Sequence, residues 1–266
     1  MEWKDDWSRA PPKEHREYWE TADIIHVHGL KKANWWFKCK KNVGFVLHVH
    51  GRRPRALAAM ERKAARQRGG IMMVSTFNLL MHVHNNIDQW FPRPIDLDLF
   101  DKLRNGKIND DIIRVVHCPT IREYKSTDIF LEVMGEIQSE YKNVKTVLIE
   151  KMSNYGCITE KAKCDILFDQ MMLSYGTNAL EAWAFGMPVL CGANNYALGV
   201  MDEHLGYRPH IQVINKDELK GKLIELIKSK ALRDKWGTIG RKYVEQFHSY
   251  PAAAAHAIKI YEKVLR

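Results

Sequence analysis

The chain has 266 residues, 45% hydrophobic and 27% charged, the balance of an ordinary folded protein; a disordered or low-complexity chain is excluded. Lysine and arginine outnumber aspartate and glutamate by 41 to 32, a net charge of +9, which favours an anionic partner without choosing among nucleic acid, phosphorylated substrate and lipid headgroups. No apolar run approaches the roughly 18 residues of a spanning helix, and the opening MEWKDDWSRAPPKEH is too polar and acidic for a signal peptide, so a cytoplasmic protein is expected. Cys39, Cys118, Cys157, Cys164 and Cys191 include no C-x-x-C pair and read as reduced, mostly buried thiols.

From Ile24 onward, short β-branched runs alternate with helical stretches: IIHVH, VGFVLHVH and IMMVS, then IIRVVHC, TVLIE, DILFD and PVLCG. Strands so separated imply parallel sheets of βαβ units, hence an α/β fold of two Rossmann-like domains. The polar stretch DKLRNGKINDD, Asp101 to Asp111, reads as the linker. Expected domains are therefore residues 1–105, 106–250, and a C-terminal helix over 251–266 crossing back to the first domain. In the helix after Lys125, the residues Ile129, Phe130, Val133, Met134 and Ile137 form an apolar stripe that belongs in the core. The chain ends in helices at KDELKGKLIELIKS, ALRDKWGTIGRKYVEQF and PAAAAHAIKIYEKVL.

Histidine pairs recur as His26/His28, His48/His50 and His82/His84. Two histidines two apart on a strand project from one face, an arrangement that can hold a metal ion. A metal-dependent hydrolase is thus a rival reading, but it leaves the segment around Glu181 unexplained, and no metal is expected.

That segment, YGTNALEAWAFGMPVLCG from Tyr175 to Gly192, is the most specific signal. Thr177 can cap a helix bearing Leu180, Trp183 and Ala184, Gly186 ends it, and Pro188 opens a buried strand. The plain reading is one αβ unit. The sharper one is an anion site formed by amides near Gly176 and Thr177 at the sheet's carboxyl edge, with Glu181 one turn on able to accept from two adjacent hydroxyls. In HCPTIREYKSTD, His117 to Asp128, a strand runs into a loop carrying Arg122 and Lys125. Two cations at the same edge suit the charge on a departing diphosphate, although loop cations are commonly just solvated.

PTIREYKSTDIFLEVM, CDILFDQ and YGTNALEAWAFGMPVL resemble the nucleotide-sugar half of family 4 retaining glycosyltransferases of the GT-B fold, and DIIHVHG, VLHVHG, MVSTFNLL and PRPIDLDLF resemble its acceptor half. The resemblance implies two Rossmann-like domains facing a cleft, and transfer from a nucleotide-diphosphate sugar (a UDP- or GDP-sugar) to a hydroxyl acceptor with retained configuration and no required cofactor. It makes Arg122 and Lys125 the diphosphate clamp, Tyr175, Gly176, Thr177 and Glu181 donor ligands, and His50 the histidine beside the transferred sugar. His28 falls at the other strand end on the acceptor side. Against the family pattern, Leu173 stands where a second glutamate is usual, and Ser126 where glycine is usual. The acceptor half is shortened, so a degenerate binding module without catalysis is the alternative.

The first half is also basic and aromatic. LKKANWWFKCKKN is followed, after His50, by Arg52, Arg53 and Arg55 in GRRPRALAAMERKAARQRGG. The plain reading is a solvated basic helix face; the functional one is an anionic membrane surface, which would suit a lipid-linked acceptor and peripheral attachment. No nucleic-acid signature accompanies it, and no nucleic-acid partner is expected.

Overall fold

The computed structural model describes residues 16–28, 43–49, 62–77 except 64 and 68, 89–172 except 105, 107 and 109, and 174–265. His50, Arg52, Arg53, Arg55, Leu173, the tryptophan-rich stretch and the third histidine pair lie outside them. Contacts divide the chain into two units: residues up to Pro92 with Ala254–Arg266, and Arg93–Ala253.

In the first unit, after a short helix α1 (Arg16–Thr21), four parallel strands lie in sequential order: β1 (Ile24–His28), β2 (Gly44–Val49), β3 (Ile71–Val74) and β4 (Gln89–Trp90). One face is covered by the last helix of the chain, here called the terminal helix (Tyr250–Val264), whose Ile260 is fully buried against Val46, Met73 and Phe91. Alternation along a strand puts Ile24, His26 and His28 on that face, and the register His28↔His48 puts His48 there too.

The second unit opens with helix α2 (Leu97–Arg104), where the sequence reads as the start of a linker. Asp96 accepts from the Leu99 amide at 3.1 Å, Phe100 meets Phe185 edge-on at 4.8 Å between ring centres, and Asp101 takes both Nη atoms of Arg241. These tertiary contacts, invisible in a local polar pattern, hold the segment in the second unit. The boundary therefore falls before α2, not at residue 105.

The chain continues as β5 (Ile113–His117), α3 (Thr127–Glu140), β6 (Val144–Leu148), α4 (Asn154–Lys161), β7 (Ile166–Gln170), α5 (Thr177–Ala184), β8 (Val189–Cys191), α6 (Asn195–Leu205), β9 (Ile211–Gln212), α7 (Lys216–Lys228) and α8 (Lys230–Tyr243). The five strands are parallel in the order β6-β5-β7-β8-β9. Side-chain oxygens of Ser153, Asn194, Asn215 and Ser229 accept amides in the first turns of α4, α6, α7 and α8, each satisfying a donor the helix cannot.

On one sheet face Val115, Ile166, Phe168 and Leu190 meet Phe130, Val133, Met134 and Ile137 of α3 and Leu219, Leu223 and Leu226 of α7. Burial of each such side chain stabilises by about 1.5–3 kcal/mol. Ile129 is instead 37% exposed at the margin of the stripe. α5 is pinned by α8: a side chain on Gly240 would overlap the fully buried Trp183 ring, and one on Gly237 the carbonyl of Gly186. Only glycine permits that approach.

Candidate functional site

In a parallel sheet of this order, the connections leaving β5 and β7 run in opposite directions, from β5 to β6 on one side and from β7 to β8 on the other. The two loops part at the carboxyl ends of β5 and β7 and leave a crevice between them, the place where doubly wound sheets bind ligands. The β5 loop carries Arg122 and a 3₁₀ turn, Glu123–Lys125. The β7 loop carries Ser174 to Gly176 and runs into α5. Among the described residues the non-glycine residues with positive φ are Ser126, Lys151 and Ser174, at 53°, 51° and 68°. They lie in the loops after β5, β6 and β7, so backbone strain gathers at this one edge, as it does at binding sites.

Lys125 Nζ donates to Asp169 Oδ1 at 2.5 Å, while Oδ2 of that carboxylate accepts the Gly176 amide at 2.7 Å. Burial alone would lower the Lys125 pKa; the Asp169 charge and hydrogen bond outweigh it and leave it raised. Gly176 is the N-cap of α5, and its amide is already bound. The amides of Thr177 and Asn178, in the first turn, have no acceptor within the helix. Thr177 is the first helical residue rather than the cap; its hydroxyl accepts from Arg93. Arg93 is in turn held by the buried His248, whose Nδ1 donates to the Arg93 carbonyl at 2.7 Å. A guanidinium at the positive end of a helix dipole is an unfavourable placement unless an anion joins it.

Arg122 forms a two-pronged pair with Glu150, at 2.8 and 2.5 Å, on the exposed surface of the same edge. Glu181 is buried and bonded to Lys161, itself fully buried. Lys161 also donates to Asn178 Oδ1 at 2.8 Å, and Asn178 Nδ2 donates to the Cys118 carbonyl at 2.7 Å, tying α4 and α5 to the end of β5. Beside Lys161, the half-buried Cys157 is lowered to about 6 by a hydrogen bond from the Cys118 thiol, whose own pKa is raised. Beneath the crevice His117 donates through Nδ1 to the Phe168 carbonyl and accepts from Thr127, both at 2.9 Å; burial holds its pKa down at about 4.

Arg122, Lys125, Gly176 and Thr177 thus gather at one sheet edge, with Glu181 one turn into α5. Tyr175, expected among the ligands, turns its side chain into the core: it is 1% exposed, packs edge-on to Trp183 and hydrogen-bonds Tyr243. Its aromatic bulk fills the space under α5. Sequence reasoning missed Arg93, Glu150, Lys161 and Asp169. The acid closing the apolar run of DILFD and a lysine on the apolar side of α4 were the available signals for two of them. His28, at the exposed end of β1, lies in the first unit beside His26 and His48. A cavity of about 480 Å³ lined by Arg104, Asp110, Asp165, Gly186 and Arg233 sits at the amino ends of β5, β7 and β8, the opposite edge from the crevice.

No family model and no curated protein matches the chain. Solved structures do. A glycosyltransferase from Rickettsia africae ESF-5 superposes with a TM-score of 0.70 at 15% identity, over 96% of this chain and 79% of that one. Sucrose-phosphate synthase from Thermosynechococcus elongatus gives 0.68 at 14% identity, over 94% and 75%. The fold is that of the GT-B glycosyltransferases. Another GT-B structure, Anabaena Alr3699/HepE in complex with UDP and glucose, gives 0.63 at 12% identity, over 89% and 77%.

Proposed function

We propose that this protein is a glycosyltransferase that moves a sugar from a nucleotide-diphosphate sugar to a hydroxyl acceptor, with retention of configuration and without a metal at the donor site. The observation that carries this reading is the convergence of Arg93, Arg122, Lys125 and the first turn of α5 on the β5/β7 crevice. A diphosphate is the anion such an edge suits. UDP in the structure of a GT-B relative supports a nucleotide donor.

In this reading Arg122 leaves Glu150 for the diphosphate. The exchange costs little, because an exposed ion pair contributes only about 0.2–1 kcal/mol. Lys125 stays on Asp169 and offers its remaining hydrogens. Arg93 and the amides of Thr177 and Asn178 supply positive charge that no carboxylate among the described residues offsets. Glu181 keeps one oxygen on Lys161 and presents the carboxylate to the ribose. Developing charge on the leaving diphosphate is stabilised by these fixed donors, and the leaving phosphate helps deprotonate the acceptor, so no protein nucleophile is needed. The family resemblance gives His50 a role at the transferred sugar, and the sequence pattern gives His28, Arg52, Arg53 and Arg55 a role toward the acceptor or an anionic membrane surface.

Nucleotide release from UDP- and GDP-sugars, measured with and without hydroxyl acceptors, tests the proposal. Turnover should fall at least tenfold in Arg122→Ala and in Glu181→Gln, a change that keeps the shape beside Lys161. Wild-type turnover in both variants would overturn the site assignment. Tight donor binding with no release would favour the binding-module alternative, for which the carboxylates on Arg122 and Lys125 already speak.

A further inference from the structure

The first unit holds a histidine cluster of which the sugar-transfer reading uses only His28, on the acceptor side. His26 and His28 of β1 and His48 of β2 lie on the sheet face covered by the terminal helix. Their rings lie close together, with centres 4.4 Å apart for His26 and His28, 5.1 Å for His28 and His48, and 5.6 Å for His26 and His48. One ligand nitrogen from each lies within 4.8 Å of the other two.

Two of these rings are oriented from behind. His26 Nδ1 meets the Tyr261 hydroxyl at 2.7 Å, and His48 Nε2 meets the Ser75 hydroxyl at 2.7 Å. Metal-bound imidazoles are held in this manner, one nitrogen on an outer partner that fixes the ring and the other on the ion. The nitrogens that His26 and His48 would give an ion are therefore Nε2 and Nδ1.

We infer that His26, His28 and His48 form a binding site for a borderline divalent transition-metal ion of the zinc class. Three imidazoles, with no carboxylate or thiolate among the described residues of the cluster, select such an ion over magnesium or calcium, which require oxygen ligands. Zinc–nitrogen bonds of about 2.0–2.1 Å in a tetrahedral site bring ligand nitrogens to roughly 3.4 Å of one another, so the rings draw together by about 1 Å. His48 is 2% exposed and His26 half-buried, whereas His28 is exposed at the strand end. The described residues of the cluster supply three ligands, so the fourth position of a tetrahedral ion falls to water or a further group. The site lies in the first unit and does not depend on the donor reading.

The test uses full-length, chelator-treated protein without a histidine tag, titrated with Zn²⁺ by calorimetry and with Co²⁺ by visible absorption. One ion should bind per chain, and bound Co²⁺ should give the strong visible bands of a tetrahedral nitrogen site. His28→Ala, at an exposed position, should weaken binding at least tenfold while metal-free circular dichroism and melting match wild type. Tyr261→Phe, which loosens only the outer partner, should weaken it by about tenfold. Absence of saturable one-to-one binding would overturn the proposal. So would unchanged affinity in both variants, which would mean that other histidines hold the metal.

Discussion

One carboxylate oxygen of Asp169 accepts from Lys125 at 2.5 Å and the other from the Gly176 amide at 2.7 Å, so a single buried side chain joins the β5 loop to the start of α5. Removing one member of a buried pair strands the other charge, at a cost of about 3–5 kcal/mol. Lys125→Met should therefore lower stability by that amount in urea unfolding, and Lys125→Met with Asp169→Asn should recover most of it. An unchanged urea midpoint for Lys125→Met would show that the pair is not sealed from water.

Arg122 and Glu150 offer the opposite case. Their side chains are 49% and 28% exposed, and breaking the pair should leave the urea midpoint nearly unchanged. If Glu150 competes with the diphosphate for Arg122, Glu150→Gln should bind nucleoside diphosphates a few-fold more tightly, with a stronger dependence on salt. Weaker binding by Glu150→Gln in calorimetry would mean that the carboxylate helps to hold Arg122 in place.

Ser126 occupies the left-handed region, φ 53° and ψ 37°, between the 3₁₀ turn and α3, and its side chain makes no capping bond. A non-glycine residue is strained there, and glycine is not. Ser126→Gly should raise stability by about 0.5–1 kcal/mol, read as a higher melting temperature. A lower one would show that the hydroxyl contributes more than the strain costs.

His117 and His248 are both buried, and burial, partly offset by their bonds to the carbonyls of Phe168 and Arg93, lowers each to about 4. An unfolded chain protonates its histidines near 6.5. Below that pH the unfolded state binds more protons, so the stability present above about 6.5 is progressively lost as pH falls to about 4. The loss approaches roughly 3 kcal/mol for each ring. Urea midpoints at pH 7 and pH 5 should differ accordingly, and His117→Gln should flatten the difference. Equal midpoints in the wild type would contradict the burial argument.

Seven of the nine strands among the described residues were legible as β-branched runs; the other two, Gln89–Trp90 and Ile211–Gln212, are too short to show a period. The approach of Arg122, Lys125 and α5 was legible as well, because strand ends in a parallel sheet share one edge. Their partners were not. Lys125 and Asp169 are 44 residues apart and Arg93 and Thr177 are 84 apart, and no local pattern reports such pairing. Tyr175 and Thr177 misled for a related reason: one motif supplies both the edge and the core beneath it, and spacing does not say which way each side chain turns. Helix α2 was hidden because only Phe100 in it is buried.

The account rests on anion binding at the β5/β7 crevice, and calorimetric titration of UDP and GDP into the full-length protein tests it most directly. It predicts saturable one-to-one binding of at least one of them, weakened at least tenfold in Arg93→Ala and in Arg122→Ala variants that keep the wild-type circular dichroism. Binding of neither nucleotide, or equal binding by both variants and the wild type, would contradict it.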